Sequence, residues 1–158
     1  MKTKTTRPTA PMKPRRGVVL PDDACPYCGA MTRPSRAPIR FPINGEMLSV
    51  PHVPHLECPK CHESMLDLAQ TRLLTEGAVA LYRRRHQLLS GEEIREIRER
   101  FSVSQALLGR LLGLGPNTLS RWESGRHAQT AAMDRLLRLL RDFPGAFEFL
   151  RANYAHAS

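Results

Sequence analysis

Apolar and polar positions change their spacing along the chain. Two short alternating runs, Ile39-Arg40-Phe41 and Met47-Leu48-Ser49-Val50, flank the pair Asn44-Gly45. A period of two marks strands, and Asn-Gly between them is a strong signal for a two-residue hairpin turn. From residue 67 the spacing becomes helical. Leu66, Leu73, Leu74, Ala78, Leu81 and Tyr82 fall mostly on one face, predicting a helix within 67–89 that Asp67 can cap. Ser90 with Glu93 makes a capping box. Ile94, Ile97 and Phe101 line one face of the helix that follows, opposite Glu92, Glu93, Arg95, Glu96, Arg98 and Glu99. Four more helices are expected, at about 104–112, from Pro116 to a left-handed cap at Gly125, at 130–142 and at 145–154. Pro144 separates the last two.

This punctuation divides the chain into four parts. Residues 1–21 carry six Lys or Arg, four Pro and no acid, and read as a disordered basic tail. Residues 22–66 hold all four cysteines, seven further prolines and few large apolar residues. So small a core usually needs a covalent or metal staple. Residues 67–89 read as a connecting helix and linker, and residues 90–158 as an all-α domain.

Charge adds a partner class. The formal net charge is +9, which favours a polyanionic partner, nucleic acid above all. The excess lies in the tail, the connecting helix and the last helices, because residues 90–125 balance five arginines against five acids. Any reading of DNA therefore rests on where particular arginines point. The chain has no apolar run of the roughly 18 residues that would span a bilayer. Its basic start has no apolar stretch of the signal-peptide kind after it, so a cytoplasmic protein with reduced thiols is expected.

The cysteines repeat one short turn, CPYCG at 25–29 and CPKCH at 58–62. Two residues between thiolates let one turn aim both sulfurs at one metal ion, and two such turns complete a tetrahedron. Cys25, Cys28, Cys58 and Cys61 are accordingly the expected ligands of one structural Zn2+, with the hairpin between the pairs forming a zinc ribbon. A redox Cys-x-x-Cys normally comes once and within a βαβ pattern, which is absent here. A catalytic zinc needs an open position, which four thiolates do not leave. His52, His55 and His62 lie close enough in sequence to replace a ligand. His62 also stands where the first turn has Gly29, a position that often prefers a left-handed backbone.

The stretch SVSQALLGRLLGLGPNTLSRWESG has the make-up of a helix-turn-helix. Leu119 and Trp122 are expected to face the core, with Gly109 small at a close helix contact. Asn117, Thr118, Ser120 and Arg121 are expected to face outward, Asn117 and Arg121 on one face. An Asn can bond adenine in two places and an Arg can do the same with guanine in the major groove. Gln105, at the start of the preceding helix, is expected at a phosphate. The fold class is thus α+β in two domains, a β-rich four-cysteine zinc ribbon and a five-helix domain.

SQALLGRLLGLGPNTLSRWESG resembles the Xre/Cro-type helix-turn-helix, with its S-Q-x-x-x-[AG] start and W-E-x-G end. The layout of ribbon followed by this domain resembles the MqsA-type antitoxins, or YgiT-type zinc finger proteins, over about residues 23–155. That resemblance implies a non-enzymatic antitoxin of a type II toxin–antitoxin system. Its zinc-bearing half would neutralise a small RNase toxin. Its C-terminal half would form a homodimer, bind an operator palindrome in double-stranded DNA and repress its own operon. Met133, Leu136, Leu137, Leu140, Phe147 and Leu150 are candidates for the dimer contact as well as for the core. The alternative is a stand-alone DNA-binding regulator with a structural zinc ribbon and no toxin. A redox or zinc enzyme is set aside for want of a nucleophile–base pair.

Overall fold

The computed structural model describes residues 23–155; the basic segment expected over 1–21 lies outside the described residues. Five strands come first: β1 (Arg33–Ser35), β2 (Ile39–Ile43), β3 (Glu46–Val50), β4 (His55–Glu57) and β5 (Ser64–Met65). Strands β1, β4 and β5 form an antiparallel sheet in that order, while β2 and β3 form a separate hairpin. Asn44 and Gly45 both take positive φ, 46° and 83°, as the tight primed hairpin turn requires. Alternation decides the faces of β3: Leu48 and Val50 are buried, Met47 and Ser49 exposed.

Six helices follow: α1 (Leu68–Arg85), α2 (Gly91–Arg100), α3 (Gln105–Leu111), α4 (Thr118–Glu123), α5 (Ala131–Asp142) and α6 (Pro144–Tyr154). Asp67 starts α1 with a reciprocal box, its carboxylate accepting the Gln70 N–H at 2.7 Å and its own N–H donating to the Gln70 side chain at 3.0 Å. Ser90 and Glu93 do the same for α2, and the Ser104 and Thr130 side chains cap α3 and α5.

Two cores result. Val50 and Val53 meet Leu74 and Ala78 of α1, so the hairpin rests on that helix. The close approach needs Gly77, where an added Cβ would lie 2.9 Å from a Val50 methyl. The larger core joins α2 to α6 around Ile94, Leu108, Trp122, Leu137 and Leu140. Each such side chain contributes roughly 1.5–3 kcal/mol by leaving water. Leu119 and Trp122 face inward as their spacing predicts.

Two local expectations change, and a third is narrowed. Pro116 does not open a helix. It is the second residue of a turn closed by the Thr118 N–H on the Gly115 carbonyl at 3.3 Å, and Asn117 follows at φ 60°. Pro followed by a left-handed residue is the pattern of a type II turn, and Asn tolerates it. Gly109 is not a close-packing glycine, because a Cβ there would meet nothing within 4 Å; a groove opens beside it between α3 and α4. Of the candidates for core or dimer contact, Leu137, Leu140 and Phe147 are core residues, while Leu139 of α5, Phe143 between the helices and Phe149 of α6 are exposed.

The glycine that does pack closely is Gly91 in the first turn of α2. A Cβ there would lie 2.5 Å from the Glu123 carbonyl oxygen and 2.8 Å from that of Trp122. Helix propensity alone makes Gly91→Ala stabilising by up to about 1 kcal/mol. The contact reverses the sign, and the substitution is expected to cost about 1–3 kcal/mol. Urea denaturation decides between them, since a raised midpoint would mean that α2 and α4 separate freely.

Candidate metal centre and nucleic-acid interface

The two Cys-x-x-Cys turns fold alike. The Gly29 N–H reaches the Cys25 carbonyl at 2.8 Å, and the His62 N–H reaches that of Cys58 at 2.9 Å. The Cys25 and Cys58 N–H groups close the outer rungs on Ala30 and Glu63, at 2.8 and 3.0 Å. His62 takes φ 58° where Gly29 takes 72°, so the left-handed position is kept without a glycine. A single left-handed residue with a side chain costs on the order of 1–2 kcal/mol, and His is among the types found there.

Strand pairing brings the turns together. Cys25 and Cys28 precede β1, Cys58 and Cys61 lie between β4 and β5, and β1 pairs with β4. All four Sγ atoms lie within 4.8 Å of one another; Cys25 is 3.6 Å from Cys61, and Cys28 is 3.4 Å from Cys58. Four sulfurs about 2.3 Å from a central ion stand about 3.8 Å apart, so the cluster fits a tetrahedral metal. The electrostatics agree. Cys58 is lowered to about 6, chiefly by the Cys61 backbone N–H, against the effect of burial. At Cys61 the Glu63 N–H favours the thiolate, but burial and the three neighbouring sulfurs push it up to about 12. Four adjacent thiolates need a cation to be charged together. The histidines stay out. His55 is buried with Nδ1 on the Val53 carbonyl at 2.9 Å, and His62 stands exposed, 3.8 Å from Glu57.

In the helical half, α3, the type II turn and α4 frame a groove of about 440 Å³. Gln105, Asn117, Thr118 and Ser120 line it together. Arg121 is exposed and lines a smaller cleft of about 180 Å³ beside Thr118 and His127. Asn117 precedes α4, so its side chain is carried by the turn. Its carbonyl accepts the Arg121 N–H at 3.0 Å and sets the two residues one helical turn apart. Gln105 is partly committed, since its amide donates to Glu123 at 2.8 Å. Among the described residues no carboxylate pairs with Arg121 or with Arg110 at the groove wall, while the Arg126 guanidinium donates to the Ser124 hydroxyl.

Glu123 holds this unit together. Its carboxylate is almost fully buried and takes two bonds from Arg98, at 2.7 and 3.0 Å, besides the one from Gln105. Periodicity places Arg98 on the solvated face of α2; the buried acid draws it inward. Burial raises the pKa of Glu123, but the Arg98 and Gln105 bonds outweigh it and the result lies below the ordinary value. A second buried group went unread in the sequence. Arg83 sits in the run Arg83-Arg84-Arg85, and its burial has no local signal. Its guanidinium donates to the carbonyls of Trp122 and His127 at 2.9 and 3.2 Å, and to the Gln129 side chain at 3.1 Å.

A family model described as the antitoxin component of a bacterial toxin–antitoxin system, MqsA, matches residues 23–151. The antitoxin HigA-2 of Vibrio cholerae serotype O1 is 38% identical over 56 residues. That stretch is 35% of this chain and 54% of the relative, so the chain spans about half the length of this relative.

The depressed pKa of Glu123 gives a signed prediction. Its stabilisation is fully present above the ordinary value of 4.5 and is lost as pH falls through the lower folded value. Glu123→Gln is therefore expected to lower stability by about 1.5–3 kcal/mol at neutral pH. The gap should narrow in urea titrations taken progressively below pH 4.5. A gap independent of pH would show that the carboxylate acts by shape and not by charge.

Proposed function

The chain belongs to the family of MqsA antitoxin components, and on that premise we propose that it neutralises a small RNase toxin and represses its own operon. The observation that carries this reading is the pairing, inside one family match, of a four-sulfur cluster with an open helix-turn-helix groove. The toxin contact falls to the β-rich half, residues 22–66, and operator binding to residues 90–158, with 67–89 between them. The chain acts by binding and not by catalysis, in the cytoplasm. Among the described residues no helix is long and apolar enough to cross a membrane.

The metal in this reading is zinc, held by Cys25, Cys28, Cys58 and Cys61. When bound it supplies a cross-link worth on the order of 10–16 kcal/mol in small thiolate domains. With all four positions taken by sulfur it is structural. The chain's own residues set the recognition surface. The Cys61 and Lys60 N–H groups stabilise the Cys58 thiolate, and the paired strands carry the flanking side chains.

On DNA, Arg121 and Asn117 enter the major groove, to guanine and adenine edges, with Thr118 and Ser120 beside them. Gln105 keeps one amide hydrogen for a phosphate after bonding Glu123. A palindrome calls for a symmetric dimer. Leu139, Phe143 and Phe149, exposed at 45%, 62% and 61%, are apolar side chains available to such a contact.

Two experiments test the two halves. A small protein that co-purifies with the full chain from native cells, once released and refolded, is expected to cleave RNA until the chain is added back. Cys58→Ser should lose that protection; a partner without RNase activity would favour the stand-alone regulator. For the other half, Arg121→Ala is expected to weaken binding to the preferred duplex by about 1–3 kcal/mol and to relax one base position. An unchanged base preference in a selection assay would remove Arg121 from the reading surface.

A further inference from the structure

The proposed division of labour assigns the metal and the DNA to separate halves, yet one helix is fastened to both. Helix α1 begins seven residues after Cys61, and Leu66, just past β5, packs on the hairpin core. Along its length Leu74, Gly77 and Ala78 lie against Val50 and Val53. Val53 in turn stands two residues ahead of β4, which leads directly into Cys58. At the far end of the hairpin, Glu46 accepts from Arg85 at 3.3 Å and faces His86 at 2.7 Å. These contacts fix the azimuth of α1 on the β-rich half.

From that helix Arg83 reaches the end of α4. It donates to the Trp122 carbonyl, in the last turn of α4, and to the His127 carbonyl in the loop that follows. The His127 and Arg126 N–H groups both converge on the Arg121 carbonyl, at 3.1 and 2.9 Å. Two hydrogen bonds through one peptide segment thus connect the Arg83 guanidinium to the backbone of Arg121. The anchor is stiff. Gln129, fully buried, accepts from Arg83 and donates to the Leu89 carbonyl at 2.7 Å and to Asp134 at 3.1 Å. Asp134 also takes the Leu89 N–H at 2.7 Å and is paired with Arg138. A guanidinium with three acceptors in fixed positions cannot slide without leaving buried carbonyls unpaired.

We propose that Arg83 is a positioning residue for Arg121, through which helix α1 makes specific DNA affinity depend on the metal-bearing half. The proposal rests on the DNA reading above. It departs from a chain whose N-terminal half can be lost without consequence for the operator. Release of the metal frees Cys58 and Cys61 at the two approaches to α1. The helix then loses its seat on the hairpin, and Arg83 no longer holds the loop at 126–127 in one position.

The test uses the full chain, a duplex enriched by the wild-type protein from a random-sequence library, and a scrambled duplex. Chelation of the wild type, with metal loss confirmed by elemental analysis, is expected to weaken binding to the enriched duplex about tenfold. Binding to the scrambled duplex should stay the same, since its phosphate contacts need no fixed helix. Trp122 is the single tryptophan and its carbonyl is an Arg83 acceptor, so its fluorescence should shift on chelation. Arg83→Met with metal bound should reproduce the weaker binding and the shifted emission and no longer respond to chelation. Arg83→Lys should recover part of both, and carries the comparison if the Met variant does not fold. Unchanged specific affinity and unchanged emission after verified metal loss would overturn the coupling, as would wild-type binding by both Arg83 variants. Failure of the library to enrich any duplex would instead remove the DNA reading and the coupling with it.

Discussion

A single buried carboxylate, Glu123, sets the geometry of the helical half. It lies at the end of α4, accepts from Arg98 of α2 and Gln105 of α3, and has Arg95 at 3.7 Å. Removing a carboxylate from water is costly, and the charge persists only because donors from two other helices converge on it. Each bond is directional, so the three helices meet in one arrangement. An apolar core would have allowed neighbouring alternatives. The tight packing of Gly91 on the α4 carbonyls follows from the same convergence, since α2 comes close enough for Arg98 to reach.

The β-rich half solves a different problem. Its apolar core, shared with α1, is centred on four buried residues, too few to offset the ordering of some 45 residues of proline-rich chain. Cross-strand pairing gathers four sulfurs within 4.8 Å of one another, at the spacing a tetrahedral metal requires. The hairpin is held from the other side by α1. The two halves therefore share a wall, and the wall carries Arg83.

Much of this was legible in the linear sequence where the signal is local. The repeated Cys-x-x-Cys turn, the Asn44-Gly45 hairpin and the Ser90–Glu93 box each depend on residues within a few positions of one another. The inward faces of Leu119 and Trp122 followed from spacing. The left-handed conformation at His62 could be read by comparison with Gly29 in the sister turn. The start of α4 was less legible. Pro-Asn is compatible both with a helix start and with a type II turn, and the left-handed backbone of Asn117, at φ 60°, decides for the turn.

Short-range chemistry determined the element types and the four-sulfur set, because turns, caps and periodicity act over one or two turns of chain. The fate of long polar side chains was settled by the fold. Arg83 and Arg98 look like surface charge, and Gly109 looks more crowded than Gly91. The burial of the two arginines depends on residues 25 to 46 positions away, among them Glu123, Gln129 and the carbonyls at the end of α4. Desolvating a charge is favourable only where such distant partners arrive together, and no local pattern records that meeting.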